Sequence, residues 1–152
     1  MRTKRRKRNG DSRRFADRSV AKKGYKLVYK LTSGRLLSCH LGNSAYRQRN
    51  RAKTYTPGIW TKPSRGCGPL CIFDSLTTAR RFHTSQIALT HQARVIIRNC
   101  VYVPSLAPGI WLSATQYKGK RAFVLSSLPW GTRLADRVKL IPVKGEPGYG
   151  KA

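Results

Sequence analysis

Alternating apolar and polar positions predict β-strands along much of the chain after residue 24. In YKLVYKL, residues 25–31, aromatic and leucine residues occupy every second position, and Lys26, Val28 and Lys30 stand between them. A period of two is typical of a half-buried strand. Ser33-Gly34 then predicts a turn, and LLSCHL, residues 36–41, its hairpin partner.

A short helix is predicted in the middle of the chain. The apolar run LCIF, residues 70–73, has the length of a buried strand, and either Asp74 or Ser75 can cap a helix that follows it near residues 75–83. Apolar residues then recur at helical spacing toward the core: Leu76, Ala79 and Phe82. Arg80 and Arg81 would point away from that core.

Three later segments also read as strands. They are ARVIIRNCVYV (93–103), RAFVL (121–125) and RLADRVKLI (133–141). In the last one, a period of two places Leu134, Val138 and Leu140 on one face and Arg133, Arg137 and Lys139 on the other. Asp136 would then be a buried partner of an arginine or a backbone donor. The whole pattern predicts an α+β fold with a small, mostly antiparallel sheet of about 5–7 short strands.

The tetrapeptide PGIW occurs twice, at residues 57–60 and 108–111. Pro-Gly predicts a turn, after which Ile and Trp re-enter the core. Two interpretations stay open: an old duplication that formed two related halves, or the same local turn-to-strand structure occurring twice. Both predict that Trp60 and Trp111 are structural core residues.

Charge points to the class of partner. The chain carries 32 Lys and Arg against five Asp and Glu, a net charge of +27. A compact protein with this excess repels itself, and a polyanion would relieve the repulsion. Nucleic acid is therefore the expected partner, while a bare supercharged surface is the alternative.

Composition also predicts three segments. Residues 1–24 hold eleven of the Lys and Arg and few apolar side chains, which is typical of a disordered basic arm. Residues 25–143 would form one domain, and residues 144–152 a flexible Pro- and Gly-rich tail. The body keeps only three acids, Asp74, Asp136 and Glu146, so it is basic without the arm.

Candidate phosphate contacts follow from the basic runs. In the arm they are Lys4, Arg5, Arg6, Lys7, Arg8, Arg13 and Arg14. In the polar loop before the first PGIW they are Arg47, Arg49, Arg51 and Lys53, and on the last strand Arg133, Arg137 and Lys139. The arm block also has the composition of a nuclear-localisation signal, and the loop that of an ordinary solvated loop.

Metal and catalytic patterns are weak. Cys67 and Cys71 are separated by three residues but lack the second ligand pair of a zinc site, so no metal and no cofactor are expected. The body has no Gly-rich phosphate loop and no paired carboxylates. The sequence predicts a non-catalytic protein without a small-molecule substrate. It has no long apolar run and no signal peptide, which predicts an intracellular protein, cytoplasmic or, in a eukaryotic host, nuclear.

Several motifs together resemble a loose group of small uncharacterised prokaryotic and phage-encoded proteins. Their shared pattern is GxW … FxSLxxAxxF … GTxLADxVKL. It is matched here by Gly58 with Trp60, by IFDSLTTARRF (72–82) and by GTRLADRVKL (131–140). The resemblance implies a small α+β domain over roughly residues 25–143 and no established activity.

Function is therefore expected to be non-catalytic binding of nucleic acid, RNA or DNA, in a ribonucleoprotein or a virion. Two alternatives remain. One is an enzyme that acts on nucleic acid on a scaffold like a degenerate ADP-ribosyltransferase. The other is a basic inhibitor of a host nucleic-acid complex.

Overall fold

A computed structural model describes residues 20–39, 53–87, 89–110 and 123–151. The strands within these ranges are β1 (Lys22–Lys30), β2 (Leu36–Ser38), β3 (Thr54–Tyr55), β4 (Trp60–Thr61), β5 (Leu70–Phe73), β6 (Val95–Pro104), β7 (Gly109–Ile110), β8 (Phe123–Val124) and β9 (Thr132–Leu140). The helices are α1 (Leu76–Gln86), α2 (Leu89–Gln92) and a 3-10 turn at Leu125–Ser127.

Four of the strands close into a ring. β6 pairs antiparallel with both β1 and β9. β5 pairs antiparallel with the same two strands, with β1 through Tyr25 and Phe73 alone and with β9 through four register positions. Strands β2 and β3 extend the ring beyond β1, and β4 extends it beyond β9. β7 and β8 form a separate two-stranded sheet. This α+β architecture, mostly antiparallel with one main short helix, confirms the predicted fold class.

The ring has an inner and an outer face, and each carries an apolar cluster. The inner cluster consists of Val28, Leu36, Tyr55, Ile72, Cys100, Tyr102, Ala135, Val138 and Leu140. The outer cluster lies under α1 and consists of Leu27, Phe73, Ala79, Phe82 and Val95. Directly paired residues of neighbouring strands point to the same face of the sheet. The pairing register therefore shows, for each remaining strand residue, whether it lies on the inner or the outer face.

The expectation of a half-buried first strand is wrong. Leu27 and Val28 are adjacent in sequence and both are buried, and Lys26 is only 6% exposed. The reason is the ring. Val28 faces the inside, where the inner cluster lies, while Leu27 faces the outside and is covered by α1. In a closed ring covered by a helix, both faces of a strand are buried, so few of its side chains are exposed to solvent.

Helix α1 begins where the sequence predicts and ends three residues later than residue 83. Ser75 is its N-cap and accepts a hydrogen bond from the backbone N–H of Thr78 at 3.2 Å. On the helix, Ala79 and Phe82 are buried, and Arg80 and Arg81 are exposed, as expected. Within the described ranges, no helix has the length and apolar composition needed to cross a bilayer.

The ordered sheet extends slightly into the segment predicted as an arm. β1 begins at Lys22, and Lys22, Lys23 and Gly24 pair with Tyr102, Val101 and Cys100. At the other end, residues 144–150 form turns, and Glu146 is bound to Arg98 of β6. The residues before position 20 lie outside the described ranges.

The two PGIW copies adopt different backbone structures. Gly58 lies in a turn with φ of +80°, and Trp60 begins β4 beside β9. In the second copy Gly109 is not in a turn but in β7, paired with Val124. The turn prediction is confirmed for the first copy and wrong for the second, because Gly109 takes part in a strand ladder. Trp111 lies outside the described residues.

Candidate nucleic-acid interface

Of the sequence-predicted phosphate contacts, Lys53, Arg133, Arg137 and Lys139 lie in the described ranges. The arm residues Lys4, Arg5, Arg6, Lys7, Arg8, Arg13 and Arg14 lie outside them, as do the loop residues Arg47, Arg49 and Arg51. The structure therefore bears on the last strand and on one end of the basic loop.

A β-bulge divides the basic stripe predicted on the last strand. Val103 pairs with Arg137 and Pro104 pairs with Ala135, so Asp136 is an extra residue in β9. An inserted residue of this kind reverses the alternation of the strand beyond it. Asp136 is exposed at this point, so the expectation that it is buried is wrong.

Arg133 therefore points to a different face from Arg137 and Lys139. Arg133 pairs with Ile72, which belongs to the inner cluster, so its side chain leaves the strand on the inner side, at the ring's end. There its guanidinium lies 2.9 Å from Asp74. The sequence predicted either Asp74 or Ser75 as the cap of α1, and one face for all three cations. In the structure Ser75 is the cap, and the bulge separates the cations.

Arg137 and Lys139 lie on the outer face together with Trp60. Lys139 is the register partner of Trp60 in β4. Its Nζ lies 5.0 Å from the centroid of the Trp60 ring, and the guanidinium carbon of Arg137 lies 4.7 Å from it. Both distances are those of cation–π contacts. We call Trp60, Arg137 and Lys139 the outer cationic patch.

Trp60 is half-buried, so its expected place in the core is wrong. It begins a two-residue strand at one end of the sheet, and none of the described strands pairs with β4 on the side away from β9. Its ring instead packs against two long cationic side chains. An indole in this position restricts the motion of both side chains and holds them close together.

Within the part of the chain that the structure describes, no ion pair neutralises the charge of this patch. Among the described residues the ion pairs are Arg98–Glu146 and Arg133–Asp74. Neither involves Arg137 or Lys139. Two cations held together without a carboxylate partner favour an anion from outside the chain, because their mutual repulsion would be relieved by it.

Lys53 directly precedes β3, and β3 and the strand of Trp60, β4, are at opposite ends of the strand order of the sheet. The backbone N–H of Lys53 donates to the Ser38 hydroxyl at 2.9 Å, and its carbonyl accepts from the Ser38 N–H at 2.7 Å. Nearby, Arg35 is exposed and donates to the Thr54 hydroxyl at 3.3 Å. The end of the predicted basic loop is thus anchored by its backbone to β2.

Inside the ring, a lysine, Lys26, occupies a buried position among the core residues. Lys26 Nζ donates to the carbonyl oxygen of Cys71 at 2.6 Å and lies 5.5 Å from the centroid of the Tyr55 ring. Desolvation raises the pKa of the Cys71 thiol and raises that of Cys100 to about 12, although Lys26 partly opposes both shifts. Both thiols are therefore protonated at neutral pH and are poor nucleophiles.

Two other groups that could do acid–base chemistry, Glu146 and His83, are held in structural contacts. Glu146 accepts two hydrogen bonds from Arg98, at 2.6 and 2.7 Å, and these lower the pKa of its carboxyl against a smaller opposing effect of desolvation. His83 Nε2 lies 2.7 Å from the carbonyl oxygen of Val95 and so donates to it. Across the described residues no cluster of three or more His, Cys, Asp or Glu could hold a metal ion.

Sequence reasoning found Arg137 and Lys139 but missed Trp60 as their partner. The signal that could have found it was the brevity of the apolar stretch after Pro57-Gly58, since Thr61, Lys62 and Pro63 follow at once. A Trp beside so short a strand lies at an edge more readily than in a core.

Comparison with known proteins returned no relative. No protein-family model, no curated protein and no solved structure matches this chain significantly.

Proposed function

We propose that this protein binds nucleic acid without catalysis, chiefly through phosphate contacts. The observation that carries the proposal is the outer cationic patch, in which Trp60 holds Arg137 and Lys139 together and no carboxylate of the described residues pairs with either. A phosphodiester chain supplies the missing negative charge, and its repeating unit suits a basic surface without base-specific geometry.

The whole chain supports the same partner. Its net charge is +27, and the acids in the body are largely engaged, since Asp74 and Glu146 each pair with an arginine. Lys4 to Arg8 in the arm and Arg47, Arg49 and Arg51 in the loop would add further phosphate contacts. Ribonucleoproteins and virions are assemblies in which such a protein would serve.

Binding of the full-length protein to unrelated DNA and RNA strands of equal length, at several salt concentrations, tests the proposal. We expect similar affinities for unrelated sequences and a linear fall of log affinity with log salt, because each phosphate contact releases counterions. Affinity weaker than about 1 mM at low salt, or affinity that salt does not change, would contradict it. Turnover of the nucleic acid would support the enzyme alternative instead.

A further inference from the structure

An open cleft lies between α1 and the C-terminal segment. Its volume is about 540 Å³, within the range of small-molecule sites. Leu76 and Arg80 of α1 line one side, Ile97 and Asn99 of β6 line the floor, and Lys144 and Tyr149 line the other side. The floor belongs to the outer face of the ring, because Ile97 pairs with Leu27 of the outer cluster.

The C-terminal wall of the cleft is fixed to the ring by one ion pair. Arg98 holds the Glu146 carboxylate with both terminal nitrogens and also donates to the Ile141 carbonyl at 2.9 Å. The Glu146 carboxylate in turn accepts from the Val143 N–H at 3.1 Å. These bonds position Lys144 and Tyr149, which flank Glu146 in sequence. The segment predicted as a flexible tail is therefore a structural wall.

The lining combines the groups that a nucleotide needs. The apolar Ile97 and the polar Asn99 make the floor, the exposed Tyr149 offers an aromatic ring, and the exposed Arg80 and Lys144 offer two cations. Glu146 lies beside the cleft, but its charge is engaged by Arg98. An aromatic ring next to cations is the arrangement by which proteins bind bases and phosphates of single strands together.

The cleft continues from the outer cationic patch. Arg137 and Lys139 of β9 and Ile141, directly after its end, occupy alternate positions, and Ile141 is itself part of the cleft lining. On β6, Asn99 of the floor is two residues from Val101, which pairs with Lys139. Two residues of a strand span about 7 Å, so one polymer can contact both places.

From this geometry, and resting on the proposed function, we propose that the cleft takes one nucleotide unit of a single-stranded nucleic acid. Its base lies against Tyr149 and Ile97 of the floor, and its phosphate contacts Arg80 and Lys144. The following phosphates run over the patch at Arg137 and Lys139. A duplex keeps its bases stacked and paired, so the cleft discriminates in favour of single strands.

The test compares two single-stranded probes with the full-length protein: a labelled oligothymidylate and a strand of equal length made of abasic units. We expect the base-bearing strand to bind at least about fivefold more tightly at one salt concentration, as one aromatic–base stack would give. Tyr149→Ala should remove most of this advantage and leave binding of the abasic strand unchanged. Tyr149 is 57% exposed, so the variant should fold. Trp130→Ala is the matched control, because Trp130 is 80% exposed and does not line the cleft.

The outcomes separate this proposal from the proposed function. If both strands bind equally and salt weakens both, the cleft proposal fails and the phosphate-binding function stands. If neither strand binds, both fail. A base advantage that survives in Tyr149→Ala overturns the assigned site. Thymidine monophosphate bound by a protein that binds the two strands equally would show a free-nucleotide site and would also overturn the proposal.

Discussion

The guanidinium of Arg137 lies over the ring of Trp60, with 4.7 Å between its central carbon and the ring centroid. The bulge at Asp136 makes this contact possible, because it turns Arg137 and Lys139 to the outer face on which Trp60 lies. One inserted residue thus determines which cations of β9 are brought together and which one, Arg133, is paired with Asp74 instead.

Replacing Trp60 with Ala should weaken binding more than it weakens the fold. Each cation–π contact contributes about 0.5–1 kcal/mol at an exposed site, so we expect a loss of about 1–2 kcal/mol in the free energy of unfolding. A fully buried Trp would cost about 3–5 kcal/mol. Denaturant unfolding and anisotropy titrations with single-stranded DNA measure the two effects. Unchanged affinity in a folded Trp60→Ala variant would show that the ring does not position Arg137 and Lys139.

Replacing Gly131, in the turn before β9, with Ala should destabilise the protein more than the same change at Gly34. The φ of Gly131 is +82°, and a Cβ there would lie 2.6 Å from Thr78 Cγ2 in α1. Gly34 has the same φ of +82° with no atom within 4 Å of such a Cβ, so it is a matched control. We expect Gly34→Ala to cost about 1–2 kcal/mol for the backbone alone and Gly131→Ala about 1–3 kcal/mol more for the clash. Equal unfolding midpoints for the two variants would contradict the close approach of this turn to α1.

Glu146→Gln should destabilise the protein at neutral pH and much less in acid. Its hydrogen bonds to Arg98 lower the pKa of Glu146 in the folded state from its ordinary value of 4.5. A lowered folded-state pKa means that the ion pair stabilises the fold above the ordinary value and that this contribution disappears as the pH falls through the folded-state pKa. We expect a difference of about 1–3 kcal/mol at neutral pH. Unfolding curves of both proteins across the acid range should converge, and a constant difference would contradict the assignment.

Lys26→Met should be neutral or stabilising despite the position of Lys26 in the ring. Its ammonium donates to the Cys71 carbonyl oxygen and also interacts with Tyr55 and Cys100. Replacing a buried ionic group with an apolar one of similar volume changes stability by about 0–4 kcal/mol in the favourable direction. A loss greater than about 2 kcal/mol in denaturant unfolding would indicate that the Cys71 carbonyl depends on the ammonium.

Much of the fold follows from local patterns in the sequence. The hairpin of β1 and β2, the strand β6 and the capped helix after Phe73 are all where periodicity and cap chemistry predict them. These elements depend on neighbours within a few residues. The ring closure does not, because it depends on β5 and β6 both pairing with β1 and β9 across long separations.

The wrong predictions at the site also arise from contacts between residues far apart in the sequence. A bulge is set by tertiary pairing, so the period-two pattern of β9 could not indicate that Arg133 faces away from Arg137. The role of Glu146 as the partner of Arg98 joins positions 48 residues apart. A segment rich in Pro and Gly gave no local sign of that contact, whereas net charge indicated the basic character of the surface directly.

The salt dependence of binding by Arg137→Ala/Lys139→Ala tests the phosphate-binding surface most directly. Lys26→Met is the control, since it also removes positive charge but from the inside of the ring. Log affinity for single-stranded DNA is plotted against log salt for the wild type, the double variant and the control. We expect the slope of the double variant to be shallower by about 1.4, the contribution of two phosphate contacts with a single strand, and that of the control to be unchanged. A double variant that folds, with the wild-type slope and affinity, would contradict the assignment of this surface to nucleic acid.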